Sequence, residues 1–328
     1  ENEDGVLVAT SGGLADAWTY RRYEKQKVWA FLPLQQEFSF DSIDGFIDAC
    51  LQEKNLKPAP QATPSELIRR VTFDLTGLPP KPAEISAFLK AWSINTDQAW
   101  GELIDRLLVS PHYGERWAQH WLDIVRYADT AGFSNDYERS NAWRYRDYVI
   151  RAFNQDKPFD EFVLQQIAGD EFRPGDPESM IATGFLRMGP WGTAMIPQDE
   201  ARQLYRDDVV HSIGQSFLSI PMRCCKCHDH KFDPIPTRDY YRLYAALSAT
   251  QPSEMAVAFL PEENNSGFEQ GQKLVDRLHH FADGKRQALI DKQEAAAKAW
   301  YADHDLPYKG QNARRKDPED QKPPRHVG

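Results

Sequence analysis

The sequence predicts a mainly α protein: an irregular multi-helix domain with a C-terminal helical arm. Three observations predict it. Apolar residues recur at spacings of three and four through most of residues 40–250. Proline and glycine pairs interrupt those runs where helices stop. Alternating, strand-like patterns are scarce.

Residues 1–38 read as an irregular lead-in with scattered aromatics, Trp18, Tyr20, Tyr23 and Trp29, beside Arg21 and Arg22. A helix is expected over 40–56, where Ile43, Phe46, Ile47 and Cys50 share a face. After the break KPAPQATP, Thr63 reads as an N-cap, with Pro64 at the first helical position and Glu66 three residues after the cap. That helix should stop at TGLPPKP. Another is expected at about 82–92. Over 97–111, Trp100, Leu103, Ile104, Leu107 and Leu108 fall on one face. Over 113–129, Trp117, Trp121, Ile124, Val125 and Ala128 predict a buried stripe.

The stretch from Asn141 to Asp170 reads as two helices joined near Lys157-Pro158. PESMIATGFLRMGPWG starts helical and ends in a Gly/Pro loop. A long helix over 199–220 leads straight into a cysteine cluster, and a short helix follows at PTRDYYRLYAALSAT. The expected organisation is a lead-in over 1–38, a helical domain over 39–250 and a linker over 251–267. A helical or coiled-coil arm over 268–304 and a polar tail or linker over 305–328 follow.

With 328 residues, 41 % hydrophobic and 12 % aromatic, the chain can bury a core. The net charge of -10 argues against nucleic acid as main partner, since phosphate binding needs a basic face. A basic partner would be favoured through long-range steering. No run of about 18 apolar residues reads as a transmembrane helix. The start, ENEDGVLVAT, has no charged n-region before an apolar h-region, so it does not read as a signal peptide. The first residue is not Met, which points to a processed or truncated chain, so this does not make the chain cytoplasmic. Four cysteines are too few for a disulfide scaffold of this size.

Three of the four cysteines lie in RCCKCHDHKFDPI, residues 223–235. Cys224, Cys227 and His228 fit C-x-x-C-H, the attachment motif of c-type haem. Two thiols add across the two vinyl groups of a porphyrin, and the adjacent imidazole reaches the iron. Zinc is an alternative, with Cys224, Cys227, His228 and His230 as ligands, though adjacent ligands on one metal are awkward. A third reading makes these buried cysteines and hydrogen-bonded histidines of a structural turn.

Several segments resemble the cytochrome-like domain of unknown function that is widespread in Planctomycetes. They are RRVTFDLTGLPPKPAEISAFL, LIDRLLVSPHYGERWAQHWLDIVRYADTAGF, AWRYRDYVIRAFNQDKPFDEFVLQQIAGD, IATGFLR and CKCHDHKFDPIPTRDYYRLYA, in that order over about 28–250. In that family the domain usually follows a small cytochrome c domain and precedes a second domain of unknown function. The resemblance implies an exported protein, periplasmic or in the cell envelope, with covalent haem at 224–228. It implies a cofactor and no substrate. The chain departs from the family's pattern at Cys225 inside the motif and at His211 before it, which leaves open which thiols are used.

A haem iron has a second axial position. His120 is the first candidate and His112 the second. Met188, Met195 and His211 are weaker, and Met222 and His230 lie too close in sequence to cross to the other face. His230, Lys231 and Asp233 read either as groups that hold His228 or a haem propionate, or as a capped, charged turn. Arg116, Asp123, Arg126 and Asp129 read as structural ion pairs or, with His120, as a catalytic pocket. Asp129, Asn135, Asp136 and Glu138 lack the ligand spacing of an EF-hand. Trp92, Trp100, Trp117, Trp121 and Trp143 read as core or as porphyrin packing. Cys50 and Cys225 remain for a disulfide.

Three functions follow. The favoured one is a c-type cytochrome domain transferring electrons to a redox partner protein or to other domains of a larger complex. The second is a haem-dependent oxidoreductase whose pocket holds His120, Arg126 and Asp129. The third is a haem-free structural or interaction module, with zinc as its alternative stabiliser and the arm over 268–304 binding a partner.

Overall fold

Caps and stops in the chain set where the helices begin and end. The computed structural model describes residues 6–9, 20–24, 27–34, 38–132, 136–192, 196–253, 255–263, 266–308 and 310. The chain divides into two units, Glu1–Ala258 and Phe259–Gly328. The described residues are mainly α-helical, with one short antiparallel ribbon of β1 (Val6–Ala9) and β2 (Tyr20–Tyr23), Val6 opposite Tyr23. The ribbon falls in the stretch expected to be irregular; strands of four residues are too short to show an alternating pattern. Trp18 lies outside the described residues, and Trp29 is exposed.

Helix α1 (Ile43–Glu53) starts at Ser42, whose hydroxyl accepts from the Gly45 N–H. Its apolar face is not buried: Ile43, Phe46 and Ile47 are exposed, and Phe46 packs edge-on against Phe38 and Phe40. Helix α2 (Pro64–Thr76) carries the capping box read from the sequence, and the Glu66 carboxylate accepts from the Thr63 N–H at 2.8 Å. Gly77 ends it in the left-handed region at φ 70. With α3 (Pro82–Trp92) and α4 (Thr96–Leu108) it forms one core cluster of Ile68, Phe88, Ala99, Leu103 and Leu107. Trp92 and Trp100 meet edge-on at its margin.

A second cluster is built by α5 (Pro111–Ile124), α6 (Ala142–Asn154), α7 (Phe159–Phe172) and α8 (Pro177–Ala182). The α5–α6 approach is close: a Cβ on Gly114 would lie 2.4 Å from the Ile150 carbonyl oxygen. Asn154 Oδ1 accepts from the Gly114 N–H at 2.8 Å. That contact decides which face of α5 turns inward. Gly114, Ala118, Trp121 and Val125 are buried, whereas Trp117, Ile124 and Ala128 are exposed. The expected stripe through Trp117, Trp121, Ile124, Val125 and Ala128 is therefore corrected by about an eighth of a turn, with Trp121 and Val125 common to both faces. Of the five tryptophans, Trp121 is buried and Trp92, Trp100 and Trp143 are half-buried.

Trp121 sits between Phe162 and Phe217, with ring centroids at 5.0 and 5.5 Å. Its Nε1–H donates towards Tyr145 Oη and Gln166 Oε1, and Tyr145 O–H donates to the same amide oxygen at 2.6 Å. Alongside, Tyr148 O–H and Lys157 Nζ both donate to Gln165 Oε1. The buried amides are thus satisfied by phenols, an indole and an ammonium.

The long helix α9 (Gln198–Leu218) delivers Phe217 to this core and ends at Ser219 in the left-handed region. A 3-10 turn, Met222–Lys226, and α10 (Thr237–Ala246) follow and pack on α9. In the second unit α11 (Phe268–Asp303) is a single long helix, with Leu274, Leu278, Phe281 and Leu289 exposed. Among the described residues no helix is long and apolar enough to cross a membrane.

Gly114→Ala should destabilise the fold by about 1–3 kcal/mol, because the added methyl meets the Ile150 carbonyl oxygen as well as the Asn154 amide that bonds to this glycine. Urea unfolding checks this: the midpoint should fall with the slope unchanged.

Candidate functional site

The cysteine cluster begins where α9 ends. The Ile220 N–H bonds back to the Gly214 carbonyl, and a Cβ on Gly214 would lie 2.7 Å from both Ile220 O and Met222 Cγ. Glycine at 214 therefore lets the chain fold back and bury Met222 against the helix. In the 3-10 turn that follows, side chains three apart fall on one side. The N–H groups of Cys227 and His228 both point to the Cys224 carbonyl, at 3.2 and 3.3 Å. Cys224 and Cys227 are exposed, and Cys225 is buried. Cys225 Sγ faces the Ile235 carbonyl, and burial pushes its thiol up to about 11, helped by Cys224 beside it.

His228 is half-buried. Its Nδ1 lies 2.7 Å from the Asp229 carbonyl oxygen. A carbonyl only accepts, so Nδ1 carries the proton and the Nε2 lone pair is left for a ligand. Asp229 Oδ1 accepts from the Thr237 N–H at 2.7 Å and so caps α10. His230 is buried, and its Nδ1 accepts from the N–H groups of Phe232 and Asp233 at 3.3 and 3.0 Å. Asp233 Oδ2 also lies 3.0 Å from that nitrogen. The two N–H donors point at the ring nitrogen, so it acts as an acceptor here. His230 is therefore the pivot of the 228–236 turn, and Lys231 lies over the Phe232 ring.

Two carboxylates that sequence reasoning missed fix this turn. Asp207 Oδ2 pairs with Lys226 Nζ at 3.1 Å, and Asp207 Oδ1 accepts from Tyr240 O–H. Tyr241 O–H donates to the Lys226 carbonyl at 3.0 Å. Next to it, Asp208 pairs with Arg126 at 3.0 Å and faces Arg223 at 3.9 Å. Burial raises the Asp208 carboxyl, and Arg126 and Arg223 oppose that rise. The available signal was a pair of acids among buried positions of one helix, between Tyr205 and Val209-Val210.

The other expected residues are placed elsewhere. His112 is exposed beside Glu115 at 2.7 Å, and His120 is exposed against Trp117. Asp129 accepts from Tyr127 O–H at 2.7 Å, and Arg126 is taken by Asp208. His120, Arg126 and Asp129 thus have separate partners and do not form one pocket among the described contacts. Arg116 reaches Gln119 and not an aspartate. Met188 is buried, Met195 and Asn135 lie outside the described residues, and Asp136 accepts from the Gly132 N–H. His211, a weak candidate by sequence, is the one placed within electrostatic reach of Arg223 and Asp208. Burial and Arg223 hold it below the usual histidine range. All four cysteines are free thiols; Cys50 is exposed while Cys225 is buried.

Residues 42–252, more than half of the chain, match PSCyt2, described as a protein of unknown function (DUF1549). The chain belongs to this family. It is the planctomycete cytochrome-like family that the sequence resembles. No curated protein matches the chain, and no solved structure does. The PSCyt2 region takes in the helices from α1 to α10 and the whole cysteine turn.

Two exposed thiols three residues apart and an adjacent imidazole are the donors that thioether attachment and one axial bond would use. Among the described residues no three His, Cys, Asp or Glu side chains converge as a metal-holding group, so the zinc set is not assembled.

Alkylation with iodoacetamide at pH 8 should modify Cys224 and Cys227 quickly and Cys225 slowly. The Cys225 thiol ionises near 11, so its thiolate fraction should rise about tenfold per pH unit below that. Asp207→Ala, which frees Lys226 and Tyr240, should speed Cys225 labelling; peptide mass mapping reads each site.

Proposed function

We propose that the cysteine turn attaches one c-type haem through Cys224 and Cys227, with His228 as proximal ligand. On this reading the chain is an exported electron-transfer module, working with a redox partner protein or other domains of a larger complex. The observation that carries the reading is the sorting of the thiols: Cys224 and Cys227 outward, Cys225 inward. The family's cytochrome-like character supports it.

Each residue then has a defined task. Cys224 and Cys227 hold the porphyrin edge. The Asp229 carbonyl fixes the His228 tautomer and ring orientation, which also strengthens the imidazole as a donor. Asp207, through Lys226 and Tyr240, keeps the turn against α9 and α10. A haem there would supply reversible one-electron chemistry at its iron.

The test is a pyridine haemochrome spectrum with intact mass on protein matured in a periplasm. One covalent haem is expected in wild type and in Cys225→Ala. Cys224→Ala and Cys227→Ala should each lose at least one thioether. His228→Ala should keep the added haem mass and change the absorbance spectrum of the native, undenatured protein. Wild-type protein with no haem and free thiols would overturn the reading.

A further inference from the structure

Two guanidinium groups share a single carboxylate beside the cysteine turn. Arg126 Nη2 lies 3.0 Å from Asp208 Oδ2, and Arg223 Nη2 lies 3.9 Å from Asp208 Oδ1. The neighbouring Asp207 is occupied by Lys226 and Tyr240, so it does not neutralise the second arginine. Arg126 Nε and His211 Nδ1 are both buried with no hydrogen-bond partner, so polar atoms here outnumber their partners. His211 ionises below the usual range, mainly through burial, so it leaves the local balance positive and adds no anion.

The surroundings are built and not incidental. Arg126 directly follows the C-cap Val125 and ends α5 at φ 61, the left-handed conformation that commonly closes a helix. A Cβ on Gly189 would lie 1.9 Å from Asp208 Oδ2 and 3.1 Å from Arg126 Nη2, so bare backbone walls one side. Arg139 pins that wall by donating to the Met188 and Gly189 carbonyls at 3.0 and 2.6 Å. On the other side the Arg223 side chain is 65 % exposed and lies 3.9 Å from the carboxylate, so its guanidinium keeps donors free toward solvent.

We infer that Arg126 and Arg223 together bind one oxyanion group, a carboxylate or a phosphate, in the opening above Asp208. Planar guanidinium forks match such groups through paired N–H donors. The anion would neutralise the second arginine that Asp208 leaves uncompensated. This inference stands on the arginines and does not require a haem. Two sources share the chemistry: a carboxylate of an attached porphyrin, or a free small oxyanion.

The test is calorimetric titration of the full chain, produced without haem, with inorganic phosphate and with propionate at fixed ionic strength. Saturable binding is expected in wild type. Arg223→Gln should weaken it at least tenfold, Arg223→Lys should weaken it less, and the remote Lys90→Gln should leave it unchanged. Circular dichroism confirms that each variant is folded; Arg223 is exposed, so its replacement leaves the core intact. Repeating the titration on haem-loaded protein separates the sources. Binding lost on loading assigns the site to the porphyrin carboxylate, and binding retained assigns it to a free oxyanion. No saturable binding in wild type, or equal weakening by Lys90→Gln, would overturn the inference. The haemochrome result is independent, so failure of the haem reading would leave this measurement interpretable.

Discussion

Two adjacent carboxylates on α9 tie together the parts of the molecule that carry its chemistry. Successive residues on a helix point about 100° apart, so Asp207 and Asp208 address different neighbours. Asp207 holds Lys226 of the cysteine turn and Tyr240 of α10. Asp208 holds Arg126, just past α5, and faces Arg223. Segments around 126, 189, 223–226 and 240 thereby meet on one helix. The turn has few buried apolar side chains of its own beyond Met222 and Cys225, so these polar ties determine where its thiols point.

The ties depend on a rigid base beneath α9. Phe217, in the last turn of that helix, contacts both Trp121 and Phe185, which fixes α9 on α5 and on the 3-10 segment Thr183–Arg187. Around Trp121 the core uses amides and phenols where a purely apolar core would use leucines. Gln165 and Gln166 are fully buried, and the donors aimed at them are the rings of Trp121, Tyr145 and Tyr148 and the Lys157 ammonium, which lies over the Tyr148 ring. Burial pushes the Tyr145 and Tyr148 phenols well above their usual range, so both remain protonated donors at neutral pH. A network of this kind is favourable only when complete. It therefore specifies the packing of α5, α6 and α7 more narrowly than apolar contacts would.

What the sequence made legible was whatever is decided locally. Thr63, Pro64 and Glu66 announce a helix start from four consecutive positions, and Gly77 announces its end. The break at Lys157-Pro158 and the long helix before the cysteines were readable for the same reason. The inward face of α5 was not, because Trp117, Ala118 and Trp121 are all apolar. The choice among them is made by Gly114 against Ile150 and Asn154, a partner some forty residues later. The apolar face of α1 likewise follows helical spacing without being buried, since spacing shows that a face exists and not what covers it. At the site, C-x-x-C-H spacing picked out Cys224, Cys227 and His228. Which of three clustered thiols turns inward depends on a 3-10 turn and on Ile235, whose carbonyl meets Cys225. Nothing local in the sequence marks Asp207 and Asp208, because their partners Lys226, Tyr240, Arg126 and Arg223 lie far along the chain.

Net charge and local charge act at different ranges here. The whole chain carries -10, which at long range repels anions and attracts a basic protein. At physiological salt the Debye length is about 8 Å, so a small ligand feels only its nearest neighbours. Near Asp208 those are Arg126 and Arg223, with Arg139 and Arg187 close enough to oppose one another's charge. A partner protein would span several Debye lengths and respond to the summed acidic surface, while a single carboxylate would respond to the nearest arginines. A cationic partner would therefore feel the summed charge, which salt screens, while an oxyanion beside the cysteine turn would feel chiefly Arg126 and Arg223.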